Sequence, residues 1–221
     1  MSLFETDEAP LWPPTVQSWS TVPIRYLLKE KITDGPHETP EFLDEGFPFL
    51  SVDGIQDGEL TFDKCRFVSQ EQHIEFRKKA APRVGDILFG KAASTGKIAR
   101  VKSDREFTIW SPLALLRPDL DKVIPGYLEY ALKSPMGQAQ VDTLKTTSTQ
   151  SNISMEAIPR IRIPVPSLPL QKNISEFLNS ETGRINDLIA AKVRLLALLA
   201  EKRRALITRA VTRGLDPDVP L

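Results

Sequence analysis

The stretch QKNISEFLNSETGRINDLIAAKVRLLALLAEKRRALITRAVTR, residues 171–213, contains no proline and a single glycine, Gly183. Apolar residues recur through it at Ile174, Leu178, Ile185, Leu188, Ile189, Leu195, Leu196, Leu199, Leu206 and Ala210, the spacing of one face of an α-helix. Arg209 and Arg213 suit the last turn, Gly214 supplies a stop, and Pro217 prevents resumption. A continuous helix here is roughly 65 Å long at ~1.5 Å per residue. The polar run NSETG (179–183) offers an alternative division into a short helix and a longer one. Such a helix is too long for the preceding residues to cover, and its apolar stripe is wide, with Lys192, Lys202 and Arg203 at or beside the seam. The pattern therefore predicts a coiled-coil-like arm awaiting a partner helix, with Leu188, Leu195, Leu199 and Leu206 as its pairing seam.

Upstream of Pro169 the pattern changes. Residues 5–20, including APLWPPTVQSW, are rich in Pro and Trp without periodicity and read as an extended lead-in; VPIRYLL (22–28) begins an ordered element. From 47 to 117 short β-type runs alternate with turn residues: FPFLSV, GELTF, RFVS, GDILFG, KIARV and FTIWSPLALL. Among them SQEQHIEFRKKAA (69–81) predicts a helix, with Arg77, Lys78 and Lys79 near its end, where cations suit the dipole. IPGYLEYALKSPMGQAQVDTL (124–144) predicts one or two helices, because Pro125 suits a start and Pro135 forces a break. IPRIRIPVP (158–166) alternates apolar and basic residues as an edge strand does.

With 41% hydrophobic and 26% charged residues, the 221-residue chain has the composition of a globular protein. One cysteine, Cys65, rules out an internal disulfide framework and suits a reducing compartment. The acidic start MSLFETDEAP lacks the features of a secretory signal, and the apolar run LLALLA (195–200) is far too short to span a bilayer. The expected location is the cytoplasm, with no membrane partner. Net charge is zero, but it is unevenly spread. Residues 1–60 hold 3 Lys+Arg against 12 Asp+Glu, residues 61–170 hold 17 against 11, and residues 171–221 hold 9 against 6. The resulting balances of −9, +6 and +3 permit one basic face on a neutral molecule, without requiring it.

Catalytic constellations are not found. His37, His73 and Cys65 have no zinc-ligand spacing, so no metal and no cofactor are expected. Two histidines and no GxSxG elbow leave nucleophilic catalysis without its parts. GKAASTGK (90–97) fails as a phosphate loop: five residues separate its glycines, Ile98 follows Lys97, and its flanks read as strands. It is a hairpin tip on which Lys91, Ser94, Thr95 and Lys97 either touch a DNA backbone or form an ordinary solvated turn. WPPT is not the Asn/Asp-Pro-Pro-aromatic loop of an amino-methyltransferase, and no acid-x-Lys follows Asp119 to complete a nuclease. The chain is expected not to be an enzyme. In ITDGPHETPEF (32–42), Asp34-Gly35-Pro36 reads as a turn, and His37 faces either DNA or the interior.

Four segments, in order, resemble the specificity (S) subunits of type I restriction–modification systems: DGPHETP (34–40), GDILFGKAASTGKIARV (85–101), TSTQSNISMEAIPRIRIPVPSLPLQKNISEFL (147–178) and INDLIAAKVRLLALLAEKRRALITRAVTRGL (185–215). The resemblance implies a mixed α/β target-recognition domain (1–168), a helical conserved region (169–214) and a linker or tail (215–221). In the family two such units sit in one subunit with their long helices packed antiparallel, and each recognition domain reads half of a split site in double-stranded DNA. Methyltransferase (M) and restriction (R) subunits dock on the framework and supply the chemistry. This chain holds one unit. It is either a natural half-subunit that dimerises through its helix, or the first half of a longer protein, which the tail GLDPDVPL favours.

On that reading, Arg77, Lys78, Lys79, Lys91 and Lys97 are candidates for phosphate, and the loop TTSTQSN (146–152) for base edges. Gln150 and Asn152 can grip adenine bidentately, and Thr147 and Ser148 can serve several bases. His37 is a further DNA-contact candidate. The resemblance carries no base specificity. The alternative from another class is a helical scaffold or protein-interaction module that never touches DNA.

Overall fold

The computed structural model describes residues 19–63, 65–147 and 151–214, with the backbone alone for Thr147 and Arg213. Its strands are short. In chain order they are β1 (Ser20–Pro23), β2 (Thr33–Asp34), β3 (Phe47–Leu50), β4 (Ile55–Gln56), β5 (Glu59–Leu60) and β6 (Arg66–Val68). Then come β7 (Ile87–Gly90), β8 (Ile98–Arg100), β9 (Thr108–Ile109), β10 (Leu113–Leu116), β11 (Thr146–Thr147), β12 (Ser151–Asn152) and β13 (Arg162–Val165). The helices are α1 (Gln70–Lys79), α2 (Pro125–Lys133), α3 (Pro135–Leu144) and α4 (Leu168–Arg213).

The central sheet is antiparallel, in the order β2-β10-β7-β8. Its strands ILFG and LALL are continuously apolar because both faces are buried. Ile87, Phe89, Ala114 and Leu116 point to one face and meet Leu128 and Leu132 of α2 with Ile24, Ile161 and Ile163. Leu88, Leu113 and Leu115 point to the other and meet Leu50, Ile55, Phe107 and Ile109. A second sheet, β6-β3-β9, contains the parallel pair β3–β9. Among the described residues β13 pairs with β1 alone, so Pro164 within it removes no ladder bond from a further described neighbour. Asp57 and Gly58, both at positive φ, turn β4 into β5.

Helix boundaries follow local chemistry. Ser69 caps α1 by accepting from the Gln72 N–H at 3.3 Å. Ser134 ends α2 and caps α3 through the Gly137 N–H at 3.1 Å, with Pro135 at the first helical position. The start of α4 is fixed by fully buried Gln171, whose Oε1 accepts from the Ile124 N–H at 2.8 Å and whose Nε2 donates to the Pro166 carbonyl at 2.9 Å. From there α4 runs unbroken to Arg213, so the division offered by NSETG does not occur: one glycine costs only about 1 kcal/mol in a helix this long. Gly214, at φ +74°, terminates it. Two compact units divide at Ser175 and Glu176. No helix among the described residues is long and apolar enough to cross a membrane.

Polar ties lock the first unit. Glu129, 2% exposed, accepts from Arg100 Nε of β8 at 2.8 Å and from Lys133 Nζ at 2.6 Å, and Lys133 also reaches the Gly58 carbonyl at 2.7 Å. Asp86, the acid of GDIL, accepts from Arg117 Nε at 3.0 Å and Nη2 at 2.8 Å, and from the Arg83 N–H at 2.9 Å. Burial pushes the Glu129 carboxyl up, but Lys133 and Arg100 together outweigh it and hold the group below its ordinary 4.5. A depressed carboxylate stabilises the fold fully above that value and loses the contribution as pH falls through the folded one. Glu129→Gln should therefore cost about 3 kcal/mol at neutral pH, since two cations lose their counter-charge. In urea titrations the variant should also lose less stability than the native chain on acidification from pH 5 to about pH 3.

Candidate nucleic-acid interface

Strands β2 and β7 both run antiparallel to β10, so the segments that follow them leave the sheet at the end where β10 begins. Three segments gather there: 35–40, 91–97 and 110–112. They are stitched by backbone bonds, Lys91 N–H to the Pro112 carbonyl at 2.8 Å and Ser111 N–H to the Pro36 carbonyl at 3.2 Å. A fourth segment joins through the Ile153 N–H, which donates to the Lys91 carbonyl at 2.9 Å, and through the Ala92–Asn152 bridge. Thr95 Oγ1 closes the arrangement by donating to the Ser151 carbonyl at 2.5 Å.

Under these segments lies Asp34, 6% exposed. Its Oδ1 accepts from Lys79 Nζ at 2.5 Å, while its Oδ2 lies 2.9 Å from Lys91 Nζ and 3.0 Å from His37 Nε2. Lys79 also donates to the Gly35 carbonyl at 2.9 Å. Burial pushes the Asp34 carboxyl up; Lys79 and Lys91 more than offset that and leave it below the usual carboxylate value. Gly35 is dictated by contact, since a Cβ there would stand 1.9 Å from the Ile109 carbonyl oxygen. His37 is thereby placed: its ring nitrogen faces Asp34 and its side chain is 70% exposed.

Residues 32–194 match the family model described as the type I restriction modification DNA specificity domain. The chain belongs to this family. It is similar to a putative type I restriction enzyme MjaX specificity subunit of Methanocaldococcus jannaschii, with 26% identity over 76% of this chain and 40% of that protein. Among solved structures, a chain described under the complex assembly and conformational transition of the type I R-M system superposes with a TM-score of 0.69 at 22% identity, covering 96% of this chain and 49% of that one. The HsdS subunit of Thermoanaerobacter tengcongensis gives 0.59 at 22% identity, over 92% and 46%. The chain thus spans less than half the length of each of these relatives.

In this specificity domain the sequence-predicted residues separate into groups. His37, Lys79, Lys91, Ser94, Thr95 and Asn152 collect at the loop end of the sheet. Lys97 Nζ donates to the Ile55 carbonyl at 2.9 Å, so its ammonium is engaged by the fold. Arg77 and Lys78 do not join the cluster. Arg77 turns to the Phe107 carbonyl at 3.2 Å and to Glu106, two residues before β9, and Lys78 pairs with Glu75 at 2.5 Å. Ser148 and Gln150 lie outside the described residues, and Thr147 is described as backbone paired with Ser151. Leu188, Leu195, Leu199 and Leu206 are 62%, 55%, 51% and 57% exposed.

Three features of the specificity domain carried no sequence signal. Asp34 looks like a turn acid, because its lysines come from a distant helix and hairpin. Arg66 stands over the Phe42 ring and Arg105 over Phe62, at 4.4 and 4.3 Å. His73 is 3% exposed and stacks on Phe47 at 4.0 Å; its Nε2 lies 3.8 Å from Glu106, beyond hydrogen-bond reach. Burial, with Arg77 nearby, holds that imidazole below its ordinary pKa. No metal-holding group of three His, Cys, Asp or Glu occurs among the described residues. Gly35→Ala should lower unfolding free energy by about 1–3 kcal/mol through overpacking. A urea midpoint equal to that of the native chain would contradict the close approach.

Proposed function

We propose that this chain is half of a type I specificity subunit and recognises one half of a bipartite site in double-stranded DNA. The recognition domain, residues 1–168, reads the half-site, and the helical region, residues 169–214, sets its spacing from a second unit. The observation that carries the reading is the convergence of four segments at one end of the sheet, with His37, Lys79 and Lys91 gathered there on Asp34, in a chain of the specificity-domain family. Asn152 and the neighbouring loop 146–152 are the base-reading candidates, since Asn and Gln amides match the adenine edge. Phosphate contacts position the domain and supply affinity. The chain performs no chemistry itself: M subunits methylate and R subunits cleave once it has placed them on the site.

The helical region supports the split. Leu188, Leu195, Leu199 and Leu206 recur at intervals of 7, 4 and 7 residues, which is heptad spacing, with Lys192 and Lys202 at the intervening core positions. Exposed apolar residues at this spacing call for a second helix, either from a second copy or from a second unit of a full-length subunit.

Two measurements test the reading. Fluorescence anisotropy with mixed-sequence duplexes should show binding that weakens at least about tenfold between about 50 and 200 mM salt. Affinity indifferent to salt, or none at low salt, would favour the scaffold reading. In sedimentation, the native chain should be a dimer and the double variant Leu195→Glu, Leu199→Glu a monomer; an unchanged dimer would remove the seam from these leucines.

A further inference from the structure

Within that DNA-binding reading, on which the inference rests, we infer that Asp34 is a positioning residue: it gathers His37, Lys79 and Lys91 into one site for a single phosphate of the DNA backbone. Three donors from three elements, the 35–40 loop, the end of α1 and the hairpin tip, lie within 3.0 Å of one carboxylate. One carboxylate facing two ammonium groups leaves a positive surplus, before any charge on His37. Glu156 also lies near enough to Lys91 to interact, and it is exposed, where solvent screens it.

The geometry is graded from inside to outside. Asp34 is buried, the Lys91 side chain is 14% exposed, Lys79 is 47% exposed and His37 is 70% exposed. The anchor is thus inside while the two outer donors reach solvent. An ammonium carries three donors. Among the described residues Lys79 uses two, on Asp34 Oδ1 and the Gly35 carbonyl, both of which orient it. Side chains held this way lose little further rotamer freedom when a phosphate arrives, which is the advantage of a fixed lysine over a solvated one.

Lys78 provides the control. It is adjacent in sequence, carries the same charge and is 67% exposed, but its partner is Glu75 on its own helix. If bulk charge alone governed binding, Lys78→Ala and Lys79→Ala would weaken it equally, and Asp34→Asn would tighten it by removing a negative charge. A phosphate site predicts otherwise. By anisotropy at low salt, Lys79→Ala should weaken duplex binding about tenfold, the worth of one charged hydrogen bond, and reduce the salt slope by about one. Lys78→Ala should change it by less than about twofold. Asp34→Asn should weaken binding despite the added positive charge, and the double variant Asp34→Asn, Lys79→Ala should be no weaker than the weaker single one. Because Asp34 is buried, the lysine pair stands as a test independent of how that variant folds. Equal losses for the two lysines, or tighter binding by a folded Asp34→Asn, would overturn the site while leaving DNA recognition intact. A native chain that binds no duplex would remove both.

Discussion

The carboxylate of Asp34 ties three chain segments together, and two more join them through backbone bonds. Gly35 must follow it, because only a residue without Cβ lets the chain pass the Ile109 carbonyl. Lys91 must reach it from the hairpin tip and Lys79 from the last turn of α1. The backbone bonds from Ser111 to Pro36 and from Ile153 to Lys91 then bring the remaining segments onto the same surface. A buried charge is tolerable only with its partners in place. The position of the loop end is therefore coupled to the ionisation of one side chain.

The same device recurs. Glu129 joins β8, α2 and the β4–β5 turn; Asp86 joins the GDIL strand to Arg117, which also binds Glu30. These pairs change the meaning of the uneven charge distribution. Part of the positive excess in residues 61–170 is spent on acids from the first 60: Arg117 on Glu30, Lys79 and Lys91 on Asp34, and Lys102 on Glu59. Charges separated along the chain are thus partly neutralised in space, and the basic surface is smaller than the counts alone imply. What remains is local, and DNA responds to local potential.

Features governed by short-range chemistry were legible in sequence. The break at Pro135, the helix at 70–79 and the hairpin of GDILFGKAASTGKIARV follow from proline geometry, capping and turn residues. So does the long C-terminal helix, whose period and terminal glycine are local signals. Features that depend on distant residues were not legible. The parallel pairing of β3 with β9, the burial of both sheet faces, the burial of Gln171 and the role of Asp34 each require partners tens of residues away. His37 illustrates the boundary: its loop was recognisable, but which way it faced depended on a carboxylate whose own role came from Lys79 and Lys91. The candidate base-reading loop was legible as polar; Thr146, Ser151 and Asn152 are among its described residues, and Ser148 and Gln150 lie outside them.

On the proposed reading, recognition belongs to the first unit and assembly to the second. The first brings four segments together at one end of a sheet that is buried on both faces. The second is a helix whose large apolar residues, Leu188, Leu195, Leu199 and Leu206 among them, are exposed, which on that reading awaits another helix. The claim that joins them is that DNA lies against the loop end of the β2-β10-β7-β8 sheet. Amide hydrogen exchange on the chain, with and without a low-salt duplex, tests it most directly. The account predicts slowed exchange in 34–40, 91–97 and 151–153, with little change in 185–207. Protection confined to the helix, or to the opposite end of the sheet around 83–86 and 117–121, would contradict it.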